Sequence, residues 1–323
     1  MTANTPWAAS TINTRQRIIS DNDYSGDPDG LLQLAQHLLS PSVTITHVIG
    51  SHLKGFDGFN PGTETADDAA TIARHVAKLC DRTDVPVIAG ANTGLVSRTA
   101  PIDNEAARAI VDEAMRTDTE LPLYVVCGAG LTAIASAWLL EPKIGKRLTL
   151  VWIGGHEHDS LASPPPGGTD MEYNNGIDPI AAQVVFNDSD IDIWHVPRDM
   201  YRTVIASRAE MHQRLLPSGE LGRYLFGELG RVSEMAVKAG LSFGEVYILG
   251  DSPLVLLTVL QSSFEPDPAS SESVILPCPN ILDSGLYDQN PNGRPIRVFT
   301  RLDNRALLED LYAKIAMHAA GAK

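Results

Sequence analysis

Residues 17–39 read RIISDNDYSGDPDGLLQLAQHLL. Arg17–Ser20 is a short, mainly apolar run that stops at acidic and glycine residues, which predicts a buried strand. Leu31–Leu39 places apolar residues at helical spacing and predicts a helix. The alternation continues outward from this unit. Strands are expected at Val43–Gly50, Val85–Ala89, Leu123–Cys127, Leu148–Ile153 and Ile191–Val196. Helices are expected between them at Thr65–Leu79, Glu105–Met115, Leu131–Leu139 and Pro179–Phe186. The strands are almost continuously apolar, as in a parallel sheet covered on both faces. The expected fold class is therefore α/β, doubly wound, with a mostly parallel central sheet and helices on both faces. Such sheets bind ligands beyond the carboxyl ends of their strands. The residues just after each strand are the ones to read for chemistry.

Two stretches interrupt the alternation. Ser160–Gly168 (SLASPPPGG) reads as a loop, and residues 264–292 are rich in Pro, Ser, Asp and Asn around a strand at Ser273–Leu276. Tyr201–Leu241 is helical in composition and suggests an appended, lid-like part. The division expected is a polar arm at 1–16 and one domain at 17–323. The arm lacks the apolar core of a signal peptide, and no apolar run approaches the roughly 20 residues of a membrane helix.

The chain carries 40 acidic and 25 basic residues, a formal charge of −15. That balance repels phosphate backbones and argues against nucleic acid as a partner. It suits a small neutral or cationic substrate, or a divalent cation. Cys80, Cys127 and Cys278 are odd in number, far apart and without a CxxC pair. A disulfide framework or a zinc site is not expected, and a cytoplasmic location is the default.

The first strand runs into Asp21, Asn22, Asp23, Tyr24, Ser25, Gly26, Asp27, Pro28, Asp29 and Gly30. Four carboxylates within nine residues repel one another unless a cation sits between them. Hard oxygen donors of this kind suit Ca²⁺ or Mg²⁺, although a solvated acidic turn at a helix N-terminus is the plainer alternative. After the fourth strand comes Cys127-Gly128-Ala129-Gly130-Leu131-Thr132, a turn whose glycines allow close backbone approach. Cys127 reads as a buried structural cysteine. Gly154-Gly155-His156-Glu157-His158 follows the fifth strand. It lacks a third spaced metal ligand, so its histidines read as surface residues. Glu172 and Asn174 flank Tyr173 and either grip hydroxyl groups or cap a helix. Glu245–Gly250 reads as a strand ahead of Asp251-Ser252-Pro253, with Asp251 an N-cap or one more ligand at the same sheet edge.

Together these pieces resemble the inosine–uridine-preferring nucleoside hydrolase family, in order from Ile18 to about Leu260. The family's opening D-x-D-x-x-x-D-D is matched by DNDYSGDPDG, with Pro28 separating the last two aspartates. Cys127–Ala133, the Gly154-Gly155 pair, Glu172-Tyr173-Asn174 with Asp178-Pro179-Ile180-Ala181-Ala182, and Gly250-Asp251-Ser252-Pro253 match its later motifs. The resemblance implies calcium-dependent hydrolysis of a ribonucleoside's N-glycosidic bond. It implies calcium ligands at Asp23, Asp29, Asp251 and the carbonyl oxygen of Cys127. Asp23 would also take a proton from a calcium-held water. Asp27, Glu172 and Asn174 would hold ribose hydroxyls. The inserted proline leaves open which of Asp27 and Asp29 serves the metal and which the sugar, and Asp251 is counted on both sides. A homodimer or homotetramer is implied as well.

Three departures fall on the leaving-group side. Gly250 stands where many members carry a histidine, Ser51 stands for an asparagine, and Thr93–Asp103 replaces a histidine-glycine loop. His52, His156, His158 and Tyr247 are then the candidates for leaving-group activation. Trp152 and Tyr173 are candidates for stacking on a base. Two further readings stay in play: a hydrolase of another or modified N-riboside, and a catalytically silent calcium- and ribose-binding protein.

Overall fold

A computed structural model describes residues 11–242, 244–265, 267–268 and 270–321. Most of the expected N-terminal arm, residues 1–10, lies outside them. The order is β1 (Gln16–Asn22), α1 (Asp29–Leu38), β2 (Val43–Gly50), α2 (Thr65–Leu79), β3 (Val87–Ala89), α3 (Glu105–Ala114), β4 (Leu123–Cys127), α4 (Thr132–Leu140) and β5 (Thr149–Ile153). Then follow α5 (Tyr173–Ile177), α6 (Pro179–Gln183), β6 (Asp192–Val196), α7 (Arg198–Tyr201), β7 (Ile205–Ser207), α8 (Arg208–Leu215), α9 (Gly219–Lys238), β8 (Val246–Ile248) and α10 (Pro253–Val259). The chain closes with β9 (Glu272–Pro277), β10 (Asn280–Ile281), β11 (Tyr287–Asp288), β12 (Pro295–Arg301) and α11 (Asn304–Gly321).

Among the described residues eight strands form one sheet in the order β3-β2-β1-β4-β5-β6-β12-β9. All neighbours pair in parallel except β12 and β9. This is the doubly wound α/β architecture read from the sequence. Successive residues of β1 point to opposite faces. Ile18 joins the core under α1, α10 and α11, while Ile19 joins the core under α3, α4 and α6. Both are fully buried, which explains why the strand reads as apolar without alternation. The strand order reverses between β1 and β4, which pair in parallel with Asp21 opposite Cys127. That junction is the crevice where an open α/β sheet binds ligands.

Three features depart from the expected organisation. The strand expected at Glu245–Gly250 does form, as β8, but it pairs antiparallel with β7 in a separate two-stranded ribbon. Asp251 therefore follows a strand of the ribbon and not of the main sheet, yet it still reaches the end of β1 through Asn22. The helical stretch expected at 201–241 resolves into α7, α8 and α9, with β7 among them. β12 and α11 were not read from the sequence at all. In β12 Arg297 interrupts the apolar pattern, and its guanidinium sits 5.1 Å from the centroid of the Trp194 ring.

Candidate active site

The turn after β1 carries its acids into one cavity of about 340 Å³ at the carboxyl ends of β1, β4 and β5. Asp23, Asp27, Asp29, Glu172, Asn174 and Asp251 all line it, beside Gly128, Ile153, Tyr173 and Tyr201. These include every side chain that the resemblance implied as a metal or sugar ligand; Cys127, implied through its carbonyl oxygen, is represented in the lining by its neighbour Gly128. All of those carboxylates except Asp27 are buried.

Local hydrogen bonds fix the arrangement. The Asn22 side chain accepts from the Asp23 N–H at 2.9 Å and donates to Asp251 Oδ2 at 3.0 Å. It thereby ties the end of β1 to a residue 229 positions away. The Asp251 N–H donates to Asp29 Oδ2 at 3.0 Å. Tyr247 of β8 donates its phenol hydrogen to Asp27 Oδ1 at 2.7 Å, so the ribbon outside the sheet still contributes to the site. Gly128 is required here. A Cβ on it would lie 2.6 Å from Asp251 Oδ1 and 2.7 Å from Asn22 Nδ2, closer than atoms pack.

Glu172 caps α5, as its sequence position allowed, and also faces the cavity. Its Oε2 accepts from the N–H groups of Gly155 at 2.6 Å and Asn175 at 3.0 Å. Its Oε1 accepts from the Tyr201 phenol at 2.8 Å. Gly155 adopts φ +79, a backbone conformation that favours glycine. Asn174 spends both amide hydrogens on the carbonyls of Gly128 and Ile153, at 3.1 and 2.7 Å. That leaves its Oδ1 to accept a bond from a ligand.

The electrostatics are those of a site short of positive charge. Burial first, then the carboxylates of Asp251, Asp27 and Asp57, push the Asp23 carboxyl well above the usual range. Burial, with Asp251 and Asp27 adding, does the same to Asp29. Burial also raises Asp27, Asp251 and Glu172. Oxygen donors that raise one another's pKa in this way would be relieved by a hard cation. The donor set fits such an ion in kind. The arrangement does not close around one, because among the described residues no three His, Cys, Asp or Glu side chains are disposed to hold a metal. Asp27, Asp29 and Asp251 are each turned to a protein donor instead.

Several expectations are corrected. Asp21 does not join the other three aspartates. It is buried behind them and accepts a hydrogen bond from Ser51 Oγ, and burial pushes its pKa up to about 7. No histidine lines the cavity. His52 is buried in a chain of hydrogen bonds, to Thr132 Oγ1 at 3.0 Å and from there to Asp178 Oδ2 at 2.6 Å. His156, Glu157 and His158 are buried rather than on the surface. Glu157 pairs with the Arg198 guanidinium through two contacts of 2.6 and 2.7 Å, and His158 meets His195 at 3.0 Å. Trp152 is fully buried and stacks on His195, with ring centroids 5.6 Å apart. It cannot stack on a base. Tyr173, by contrast, does face the cavity.

Two participants escaped the sequence reading. Tyr201 fills the side of Gly250 where a histidine would stand, and a Cβ on Gly250 would lie 3.2 Å from its ring. Asp57 is buried and accepts from the Tyr173 phenol at 2.9 Å. Neither stands directly after a strand of the main sheet, which is where the sequence reading looked.

Comparison with known proteins agrees with this geometry. The family profile described as "Inosine-uridine preferring nucleoside hydrolase" matches residues 58–264, more than half of the chain. The chain belongs to the inosine-uridine preferring nucleoside hydrolase family. The inosine-uridine preferring nucleoside hydrolase of Leishmania major is 31% identical over 159 residues, which are 42% of this chain and 48% of that protein. The match thus spans about half the length of that relative. A purine-preferring ribonucleoside hydrolase from Gardnerella vaginalis has the same fold, with a TM-score of 0.73 at 17% identity, over 94% of this chain and 99% of that one. A plant nucleoside hydrolase has a TM-score of 0.71 at 18% identity over the same shares. The profile match begins beyond the acidic turn at 21–30, so the case for that turn rests on this chain's own residues. Among the described residues no helix is long and apolar enough to cross a membrane.

Proposed function

We propose that the protein hydrolyses the N-glycosidic bond of a ribonucleoside in this cavity, and that calcium supports the reaction. One observation carries the reading: three aspartates from the β1 turn, Asp251, Glu172 and Asn174 converge on a single pocket of about 340 Å³. Asp23, Asp27, Asp29 and Asp251 are the side chains that would hold the ion, with the Cys127 carbonyl beside them. Calcium, when bound, supplies positive charge that lowers the pKa of a nearby water.

The remaining roles belong to the chain's own groups. Asp23 is the base that takes the proton from the attacking water. Asp27, the Asn174 amide oxygen and Glu172 accept hydrogen bonds from ribose hydroxyls. Glu172 keeps room for one because a carboxylate offers about four acceptor sites. Acceptors fixed around the sugar also stabilise the positive charge of an oxocarbenium-like transition state. The leaving base is met by Tyr173 at the wall and by Lys54 at the rim, whose ammonium lies 5.2 Å from the centroid of that ring. With glycine at 250 and no histidine in the pocket, a modified base or another N-riboside is the second reading.

Ribose release from a nucleoside panel and from nitrophenyl riboside tests this. Wild type releases ribose, and both chelation and Asp23→Ala abolish release. Hydrolysis of nitrophenyl riboside alone favours the second reading. Tight calcium binding with no hydrolysis of any riboside replaces the reading with a silent binding protein.

A further inference from the structure

The sugar pocket opens directly into a second groove of about 700 Å³. The two share Asp27, Phe59, Tyr173 and Ile248 as walls. The inner end of the groove is polar, with Lys54, Asp57 and Tyr247. Beyond it the lining turns apolar, through Val232, Met235 and Ala236 of α9 and then Leu241 and Val246. Leu241, Val246 and Ile248 are large apolar side chains left 66%, 45% and 43% exposed.

A base with only polar edges has no use for the far part of this groove. A volume of this size holds a ligand of drug-like dimensions, and it starts at the atoms that face the leaving group. We propose that the groove binds an apolar substituent on the leaving base, so that the preferred substrates are ribosides whose base carries an alkyl or aryl extension. This rests on the hydrolase reading above and narrows its substrate class. The polar inner end suits the heteroaromatic ring. The α9 face suits the extension, and each methylene it buries favours binding by roughly threefold to fourfold.

The test compares kcat/KM for adenosine with N6-hexyladenosine and for uridine with 5-hexynyluridine, in wild type, Ala236→Trp and Leu241→Asp. Wild type is expected to prefer at least one extended substrate by about tenfold or more. Ala236→Trp fills the groove and Leu241→Asp charges its exposed end, so both are expected to cut that preference, chiefly through KM. Leu241 is solvent-exposed, so its variant folds even if the tryptophan disrupts packing. Equal or better use of the unextended nucleosides overturns the inference and leaves the hydrolase reading standing. Hydrolysis of no riboside overturns both. A preference that survives both variants places the extension elsewhere and overturns the inference. So does a dimer in sedimentation that Leu241→Asp splits, because a second copy would then cover the groove.

Discussion

Asp23, Gly128 and Ile153 follow or end three parallel strands, whereas Val232, Met235, Leu241 and Val246 come from α9, β8 and the chain between them, outside the main sheet. In the proposed reading the first group forms the sugar end of the cleft and the second its leaving-group end. At the sugar end the backbone is fixed by sheet register, and the side chains are held by hydrogen bonds such as Asn22 to Asp251. At the other end apolar side chains stand open to solvent. Reaction chemistry needs geometry held to a fraction of an ångström, so it belongs on the rigid part. Selection among leaving groups needs only shape and polarity, and it can sit on elements added around the sheet.

The largest effect expected from breaking the rigid end, short of removing Asp23, comes from Gly128→Ala. The added methyl has no space between Asp251 and Asn22, and a shift of about 1 Å in catalytic groups costs on the order of a hundredfold in rate. Ribose release and thermal melting of the variant check this. Activity near wild type would mean that the Asn22–Asp251 link does not hold the site.

Tyr201 stands between the two ends and tests where the boundary falls. Tyr201→Phe removes the phenol hydrogen bond to Glu172. A hydrogen bond to a charged partner is worth about 1.5–3 kcal/mol, so kcat/KM is expected to fall roughly tenfold or more for every riboside. Gly250→His alone is expected to lose activity because Tyr201 fills the space. Combined with Tyr201→Ala it is expected to regain part of that loss, with the gain confined to leaving groups that need protonation. Steady-state kinetics on inosine and nitrophenyl riboside distinguish the two cases.

A smaller effect reports on what holds the rigid end from behind. Gln33 and His37 of α1 link Asn22 to Thr258 of α10 through buried hydrogen bonds. Burial, with Lys314 adding, pushes the His37 pKa down to about 3. Between about pH 6.5 and pH 3 the unfolded chain binds a proton there that the folded chain does not. The stability His37 provides is thus complete above pH 6.5 and is lost as pH falls, by about 1.4 kcal/mol per pH unit. The buried carboxylates slope the other way, so the difference between wild type and His37→Gln is the quantity to follow. Urea midpoints at pH 7.5, 6 and 5 are expected to show that difference shrinking on the acid side.

The same contrast explains how much of the molecule could be read in advance. Strands β1 to β6 are largely buried on both faces and helices between them, such as α2 and α3, on one, so apolar runs and helical spacing identified the sheet and its α/β class. The acids after β1 were legible because they sit where a strand must end. Asp21 was counted with the other acids by spacing alone, but it is still paired within β1 and accepts from Ser51, whereas Asp23 lies past the end of the strand. Glu157 and His158 look like surface residues because their partners, Arg198 and His195, lie 41 and 37 positions later. Tyr201 and Asp57 act through contacts of 29 and 116 positions that carry no local pattern. β12 was missed because Arg297 covers a ring instead of facing solvent.

The central claim is that the sugar end performs the chemistry regardless of what leaves. Its most direct test is kcat/KM for wild type and Asp23→Asn on two ribosides with unlike leaving groups, inosine and nitrophenyl riboside. Loss of a general base costs about 10²–10⁴-fold, and the account predicts losses in that range that agree between the two substrates. A loss on inosine with nitrophenyl riboside still hydrolysed at the wild-type rate would contradict it, because Asp23 would then serve the leaving base and not the water that attacks the sugar.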